Sequence, residues 1–311
     1  MLRLPLKLKT IDSEKFYSSK NSKRQSAFPE DSEILVKEPT VFLNEEGLPA
    51  ILYTKLEFKD EEWKKIVQAL QGIEYRANSR TSGMFTYSRV IGFQPRVPIR
   101  RNFCTASSLV KDQPSHHEVM MGLAKKVSEE YQSLMPGLYE AHKSAVESQV
   151  LPEWIIPRTP FTSGIINKTT SLKYHRDAGN FKNVRSAMVC FRAGAEGGHL
   201  SCPEYGLRFE ISDRSLIIFD GSKILHGVTP IFKTNPQGFR FTVVFYSLED
   251  MKKCLCQEEE INRVRNKKKE IEEKRLTVPK VNQEEYLNSR EKISSYHRQR
   301  SISTVRKAEK K

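Results

Sequence analysis

Short apolar runs closed by Gly, Asn or Asp fill the second half of this chain, and that punctuation predicts strands rather than helices. The runs are Gly164–Asn167, Ser171–Asp177, Ser186–Phe191, His199–Ser201, Leu207–Ile211, Ser215–Asp220 and Arg240–Tyr246. A smaller set precedes them near Ile34–Val36, Val41–Leu43 and Ile51–Phe58, the last two joined by a turn at Gly47–Pro49. Helical spacing shows elsewhere. Asp60 is placed to cap Glu61–Leu70, whose first turn is acidic. Ser115–Leu134 repeats Val119, Met120, Leu123, Val127, Tyr131 and Leu134 on one helical face and breaks at Pro136. Gly137–Val146 reads as a second helix supporting the strands from outside. Residues 74–102 are Arg-rich, with Tyr75, Phe85, Tyr87 and Phe93, and read as an irregular lobe suited to nucleic-acid contact. The fold class expected is mainly β with supporting helices (α+β).

Composition then sets limits. With 311 residues, 38% of them hydrophobic, the chain can bury one full domain core plus appendages. Residues 1–32 read as a basic flexible arm and 33–250 as the folded domain, with its densest run of strands from about 154 to 250. Residues 251–311 read as a basic tail, helical over Glu258–Arg275. The net charge of +14 gathers at the ends: residues 251–311 hold 18 Lys/Arg against 10 Asp/Glu, and residues 1–30 hold 7 against 3. Basic arms on a nearly neutral body suit contact with phosphate; the plainer reading is solvated tails that keep the protein soluble. No apolar run reaches the length of a bilayer and no leader pattern opens the sequence, so neither a membrane nor a secreted protein is expected. Five sparse cysteines (Cys104, Cys190, Cys202, Cys254, Cys256) point to a reducing intracellular compartment, nucleus or bacterial or phage-infected cytoplasm, rather than a disulfide framework. Cys254-Leu-Cys256 lacks the matching pair that zinc requires.

The chemistry lies inside the strand run. In Ser171-Leu-Lys-Tyr-His175-Arg-Asp177, the period of two turns His175 and Asp177 to one face, where both reach one metal. His226 follows 51 residues after His175, beyond an apolar strand and a Gly-Ser turn, and Arg240 comes 14 residues later. Two His and one carboxylate form the facial set that binds Fe(II) and leaves positions open for a co-substrate and O2. A guanidinium inside an apolar strand needs an anion, and its fork suits a carboxylate such as the distal one of 2-oxoglutarate. His199 has no second ligand at strand spacing and reads as a polar wall residue. His116 and His117 read as first-turn surface residues, since neighbours on a helix do not face one point.

These residues resemble the iron- and 2-oxoglutarate-dependent dioxygenases, and four segments are similar to the TET/JBP family of nucleobase oxygenases. The segments are His175-Arg-Asp-Ala-Gly-Asn180, Gly197-Gly-His-Leu-Ser-Cys-Pro-Glu-Tyr-Gly206, His226-Gly-Val-Thr-Pro230 and Arg240-Phe-Thr-Val-Val-Phe-Tyr246. The resemblance implies a double-stranded β-helix (jelly-roll) core flanked by the basic N- and C-terminal extensions. It implies Fe(II) held by His175, Asp177 and His226, and 2-oxoglutarate gripped by Arg240 with the hydroxyl of Thr242, where Ser is more usual. O2 is then the second co-substrate and ascorbate a stimulant. Asn180 would read the edge of a flipped base, and Tyr246 would stack on it. The substrate implied is the 5-methyl group of thymine or 5-methylcytosine in DNA. No motif places a residue on the C1 carboxylate of 2-oxoglutarate; Arg80, Arg96, Arg100 and Arg101 are candidates by charge alone. Two other functions stay open: the same chemistry on a protein, amino acid or free nucleotide, and non-catalytic binding of nucleic acid.

Overall fold

The computed structural model describes residues 1–9, 27, 33–79, 85–97 and 103–277. The first half holds strands β1 (Leu2–Pro5), β2 (Ile34–Val36), β3 (Thr40–Leu43) and β4 (Pro49–Lys55), helix α1 (Asp60–Gly72), and strands β5 (Arg76–Ser79), β6 (Phe85–Gln94) and β7 (Thr105–Ala106). Helices α2 (Ser108–Asp112), α3 (Pro114–Leu134) and α4 (Pro136–Glu147) follow. The second half is strand upon strand: β8 (Ser163–Lys168), β9 (Leu172–His175), β10 (Ser186–Ala193), β11 (Ala195–Gly197), β12 (Leu200–Cys202) and β13 (Leu207–Phe209). Then come β14 (Ser215–Phe219), β15 (His226–Val228), β16 (Ile231–Lys233), β17 (Phe239–Tyr246) and helix α5 (Gln257–Thr277). Met1–Glu260 forms one compact unit and holds all these strands; the second unit begins at Ile261, within α5. No helix among the described residues is long and apolar enough to cross a membrane.

Two sheets face each other. The larger has ten strands in the order β1-β3-β4-β14-β10-β17-β8-β6-β5, with β7 beside β6; the smaller runs β2-β13-β12-β15-β9. Alternation along β17 explains the layering. Phe241, Val243 and Phe245 point to a core shared with α1 and α3 (Leu70, Met120, Leu123, Val127 and Tyr131 among others), while Arg240, Thr242, Val244 and Tyr246 take the opposite face. β14 is apolar on both faces for the same reason: Leu216 and Ile218 face the helices, Ile217 and Phe219 the smaller sheet. Each fully buried Phe or Val is worth about 1.5–3 kcal/mol, so β17 is fixed by its core-facing side and its other side is free for chemistry. α3 buries Met120, Leu123, Ala124, Val127 and Tyr131 at helical spacing, starts on Pro114 and ends where Pro136 follows Met135.

Several expectations need correction. Those of residues 74–102 that the structure describes are in large part regular: β5 and β6 pair antiparallel, and β6 pairs with β8 from Ser88 to Gly92. The arginines hid this strand, because Arg89 is buried with its charge met by Asp112. Tyr75 stacks on Phe241 and donates its hydroxyl to Leu70, and Phe93 packs edge-on against Trp154, so both are core aromatics. Arg80, Arg100 and Arg101 lie outside the described residues. The sheet also starts well before residue 154, since β3 and β4 continue it beyond β14. Part of the arm expected at 1–32 is strand: β1 adds in parallel to β3 although its side chains are exposed, because the open backbone edge of β3 recruits it. Lys59, not Asp60, sits at the N-cap of α1, and Asp60 is the first helical residue. His117 is half-buried and accepts the Gly92 N–H at 3.4 Å, rather than standing on the surface. Despite the sparse cysteine pattern, one disulfide joins Cys104 to Cys254, both buried.

Candidate active site

A cavity of about 400 Å³ opens between the two sheets, lined by Asn167, Met188, Thr242 and Val244 from the larger and by His175, Leu200, His226 and Val228 from the smaller. Strand β9 brings His175, and β15 pairs antiparallel with it so that His226 stands directly opposite; the register shifts between His226 and Val228. The strand ends at His175, so Asp177 lies just past it, fixed by its own N–H donating to the Gly221 carbonyl at 2.8 Å. Asp177 Oδ1 is then 3.6 Å from His175 Nε2 and 3.9 Å from His226 Nε2. One ligand atom from each of the three lies within 4.8 Å of the others. Both rings are aimed the same way: Nδ1 of His175 faces the Lys173 carbonyl at 2.7 Å, and Nδ1 of His226 the Ile224 carbonyl at 2.9 Å. A carbonyl can only accept, so each Nδ1 carries a proton and each ring turns its Nε2 toward Asp177. Phe219 packs edge-on against the His226 ring. Two imidazole Nε2 atoms and one carboxylate converging beside a cavity fit a divalent metal such as iron, with its remaining positions open.

Arg240 is built differently. Its guanidinium is wholly buried, one step further along the strand face that carries Thr242. Nη2 donates to the Gly198 carbonyl at 2.7 Å, while Nε and Nη1 have no partner among the described residues. No carboxylate among the described residues pairs with it. Burial pulls its pKa down, and Arg192, directly opposite on β10, pulls the same way. Arg192 itself is satisfied by the carbonyls of Gly197 and Ile211 at 2.8 Å each and by that of Ala195. A guanidinium does not shed its proton, so the two unmet N–H groups of Arg240 call for an anion. Gly198 makes room for it: its φ of +67° suits glycine, and a Cβ there would lie 2.5 Å from Arg240 Nε.

Of the other expected residues, Asn180, Thr242 and Tyr246 all line the cavity. Asn180 donates from Nδ2 to the Ser186 hydroxyl at 3.2 Å, and its backbone bridges to Leu248, the residue two beyond Tyr246. Of the four arginines named for the C1 carboxylate, only Arg96 is described, and it is bound to Glu260 away from the cavity wall. His199 is half-buried outside the histidine–aspartate group, its backbone N–H on the Thr229 hydroxyl and its pKa lowered chiefly by burial. Two residues were missed. Asn167, buried on the cavity wall, stands opposite Thr242 on β8; the single polar residue ending the Gly164–Asn167 run was its only signal. Gly221 looked like an ordinary turn glycine. Its φ is not positive, and a Cβ there would lie 2.2 Å from Asp177 Oδ2, so a larger residue would have to displace the carboxylate.

Residues 93–249, about half of the chain, match the Tet_JBP family model, described as the oxygenase domain of the 2OGFeDO superfamily. The chain is 30% identical over 126 residues to thymine dioxygenase JBP1 of Crithidia fasciculata, and 25% identical over 136 residues to the bifunctional helicase and thymine dioxygenase JBP2 of Trypanosoma brucei brucei. Those stretches make up 40% and 44% of this chain but only 15% and 12% of the two relatives. Among solved structures, NgTET1 in complex with 5mC DNA superposes with a TM-score of 0.54 at 11% identity, over 76% of this chain and 91% of that one. That likeness concerns the fold.

Proposed function

The chain belongs to the Tet_JBP family of 2-oxoglutarate- and iron(II)-dependent dioxygenases, and from that premise we propose that it hydroxylates the 5-methyl group of thymine or 5-methylcytosine in DNA. The observation that carries this reading is the cavity with the histidine–aspartate group, Asn180, Thr242 and Tyr246 on its wall, and, two residues before Thr242 on the same strand face, a buried arginine with no carboxylate partner among the described residues. Iron(II) with 2-oxoglutarate and O2 supplies the oxidising power that turns a C–H bond into C–OH, the co-substrate leaving as succinate and CO2. His175, Asp177 and His226 would hold the metal. Arg240 would take the far carboxylate of 2-oxoglutarate on its open N–H groups, with the Thr242 hydroxyl beside it. The apolar wall of Leu200, Val228 and Val244 keeps water from the reacting face.

A methyl group inside a duplex does not reach a cavity between two sheets, so the base enters flipped or from a single strand. Tyr246 would stack on it, and the Asn180 amide, already anchored on Ser186, would meet its polar edge. The names of the relatives point to thymine and that of the solved neighbour to 5-methylcytosine; both bases suit an amide. The basic termini supply phosphate contacts, each steepening the salt dependence of duplex binding by roughly 0.9 log unit per log of salt.

The deciding experiment is nucleoside mass spectrometry of matched oligonucleotides carrying thymine or 5-methylcytosine, incubated with Fe(II), ascorbate and 2-oxoglutarate, with His175→Ala as control. A gain of one oxygen on one base, absent in the control, is expected. Succinate formed with neither base altered would move the substrate to a protein or small molecule.

A further inference from the structure

The Pro203-Glu-Tyr-Gly206 turn carries one acid, and its carboxylate touches both segments that bear the proposed metal ligands. One oxygen, Oε1, accepts from Nη2 of Arg176, the residue between His175 and Asp177. The other, Oε2, accepts the backbone N–H of Leu225, next to His226, at 3.0 Å. Arg176 crosses the same gap again, donating from Nε to the Lys223 carbonyl at 2.9 Å. The Glu204 side chain is only 13% exposed, and Arg176 lies on the cavity wall. The turn itself is held: Gly206 closes it in the left-handed conformation, and the Glu204 carbonyl accepts the Lys9 N–H at 2.7 Å.

We propose that Glu204 is a positioning residue for the metal, a clamp that fixes the Arg176–Asp177 end of one ligand segment against the Leu225–His226 end of the other. The β9–β15 ladder cannot do this alone. It is short, its register shifts just after His226, and Asp177 lies beyond its end. Without Glu204 the Arg176–Asp177 end keeps only the backbone bond of Asp177 to Gly221 and the Arg176–Lys223 bond, and Leu225, next to His226, loses its carboxylate partner. Outer partners of this kind are worth roughly 10–100-fold in metal affinity when removed. The inference rests on reading His175, Asp177 and His226 as the metal ligands.

The test uses the full chain and Co(II), whose visible absorption reports coordination number and geometry without turnover. Wild type, Glu204→Gln, Arg176→Met, the double variant and His226→Ala are titrated with Co(II), and the unfolding of each is followed by heat. Glu204→Gln keeps an acceptor for Leu225 but loses the charged pair, so it stays folded if Glu204→Ala does not. The expected result is a rise in the Co(II) Kd of about tenfold or more in each single variant, with altered visible bands and a double variant little worse than the weaker single. Unchanged Kd and bands, with only the unfolding temperature lowered, would make Glu204 a purely structural residue and overturn the clamp alone. Wild type that binds Co(II) no better than His226→Ala would overturn the ligand assignment, and the clamp with it.

Discussion

The histidine–aspartate group lines the cavity and Arg240 lies buried two residues from its Thr242 wall, yet the two are finished in opposite ways. Around the first, both imidazole Nδ1–H groups sit on backbone carbonyls and the Asp177 N–H on that of Gly221. Around Arg240, two of the guanidinium's donor atoms have no partner among the described residues, although Arg192 beside it is satisfied by three carbonyls. The difference tracks access to water. Asp177 is 30% exposed and can be solvated when no metal is bound, whereas Arg240 is sealed and cannot. A ligand therefore does different work at each place: at the first it completes a prepared geometry, at the second it supplies a missing charge.

The comparison breaks most sharply on the triad. Asp177→Ala or His175→Ala should take succinate formation below detection while leaving DNA affinity within about twofold by filter binding; residual turnover in both variants would remove them from the metal. Arg240→Met comes next. Truncating one partner of a buried charge pair costs roughly 2–5 kcal/mol of binding, on the order of a hundredfold in 2-oxoglutarate affinity. Its stability without ligand should equal or exceed wild type, because an uncompensated buried charge has gone. Denaturation with and without 2-oxoglutarate separates the two effects: saturation near 100 Kd should add about 2.7 kcal/mol to wild type and almost nothing to Arg240→Met. A variant that unfolds far more easily without ligand would mean that Arg240 was already compensated.

Gly221→Ala sharpens the same contrast with a smaller effect. The added methyl would meet Asp177 Oδ2 and nothing about the backbone forbids it. Metal affinity should fall by roughly 10–100-fold, as for other disturbances beside a ligand, with unfolding free energy within about 1 kcal/mol of wild type. Equal metal affinity would show that the carboxylate has room to move.

What could be read from the sequence follows from what local pattern encodes. The grouping of His175, Asp177 and His226 was suggested by their order and separations, and the face of Arg240 by alternation along its strand; the period of two does not account for Asp177, which lies beyond the end of β9 and is placed by its backbone bond to Gly221. The strands from Gly164 to Tyr246 were legible from apolar runs closed by Gly, Asn or Asp. The β5–β6 pair was not, because Arg89 belongs to an interior strand only through Asp112, a partner in α2. β1 was not, since backbone pairing at a sheet edge leaves no side-chain pattern. The roles of Gly221 and Glu204 depend on segments that meet only after folding, and no spacing within one strand announces such a meeting.

His142 offers the mildest and most selective check, because burial acts on it as on Arg240 but the imidazole can respond. It is buried and is not among the residues that line the cavity, with Nε2 at 2.9 Å from the Ser247 hydroxyl, and burial chiefly, with Arg185 adding, pushes its pKa from 6.5 down to about 3. The folded protein thus keeps His142 neutral where the unfolded chain would protonate it. Above about 6.5 both states are neutral and the group imposes no pH dependence; as pH falls toward about 3 the unfolded state alone gains a proton, and stability is lost. Urea unfolding of wild type and His142→Gln across pH 7 to about pH 4 should converge as the solution is acidified, the variant's stability falling less steeply because this proton uptake is gone. Parallel curves would mean that His142 is charged in the folded protein. Convergence would leave Arg240 as the buried cation that burial cannot discharge, which is the reason it must be met by an anion.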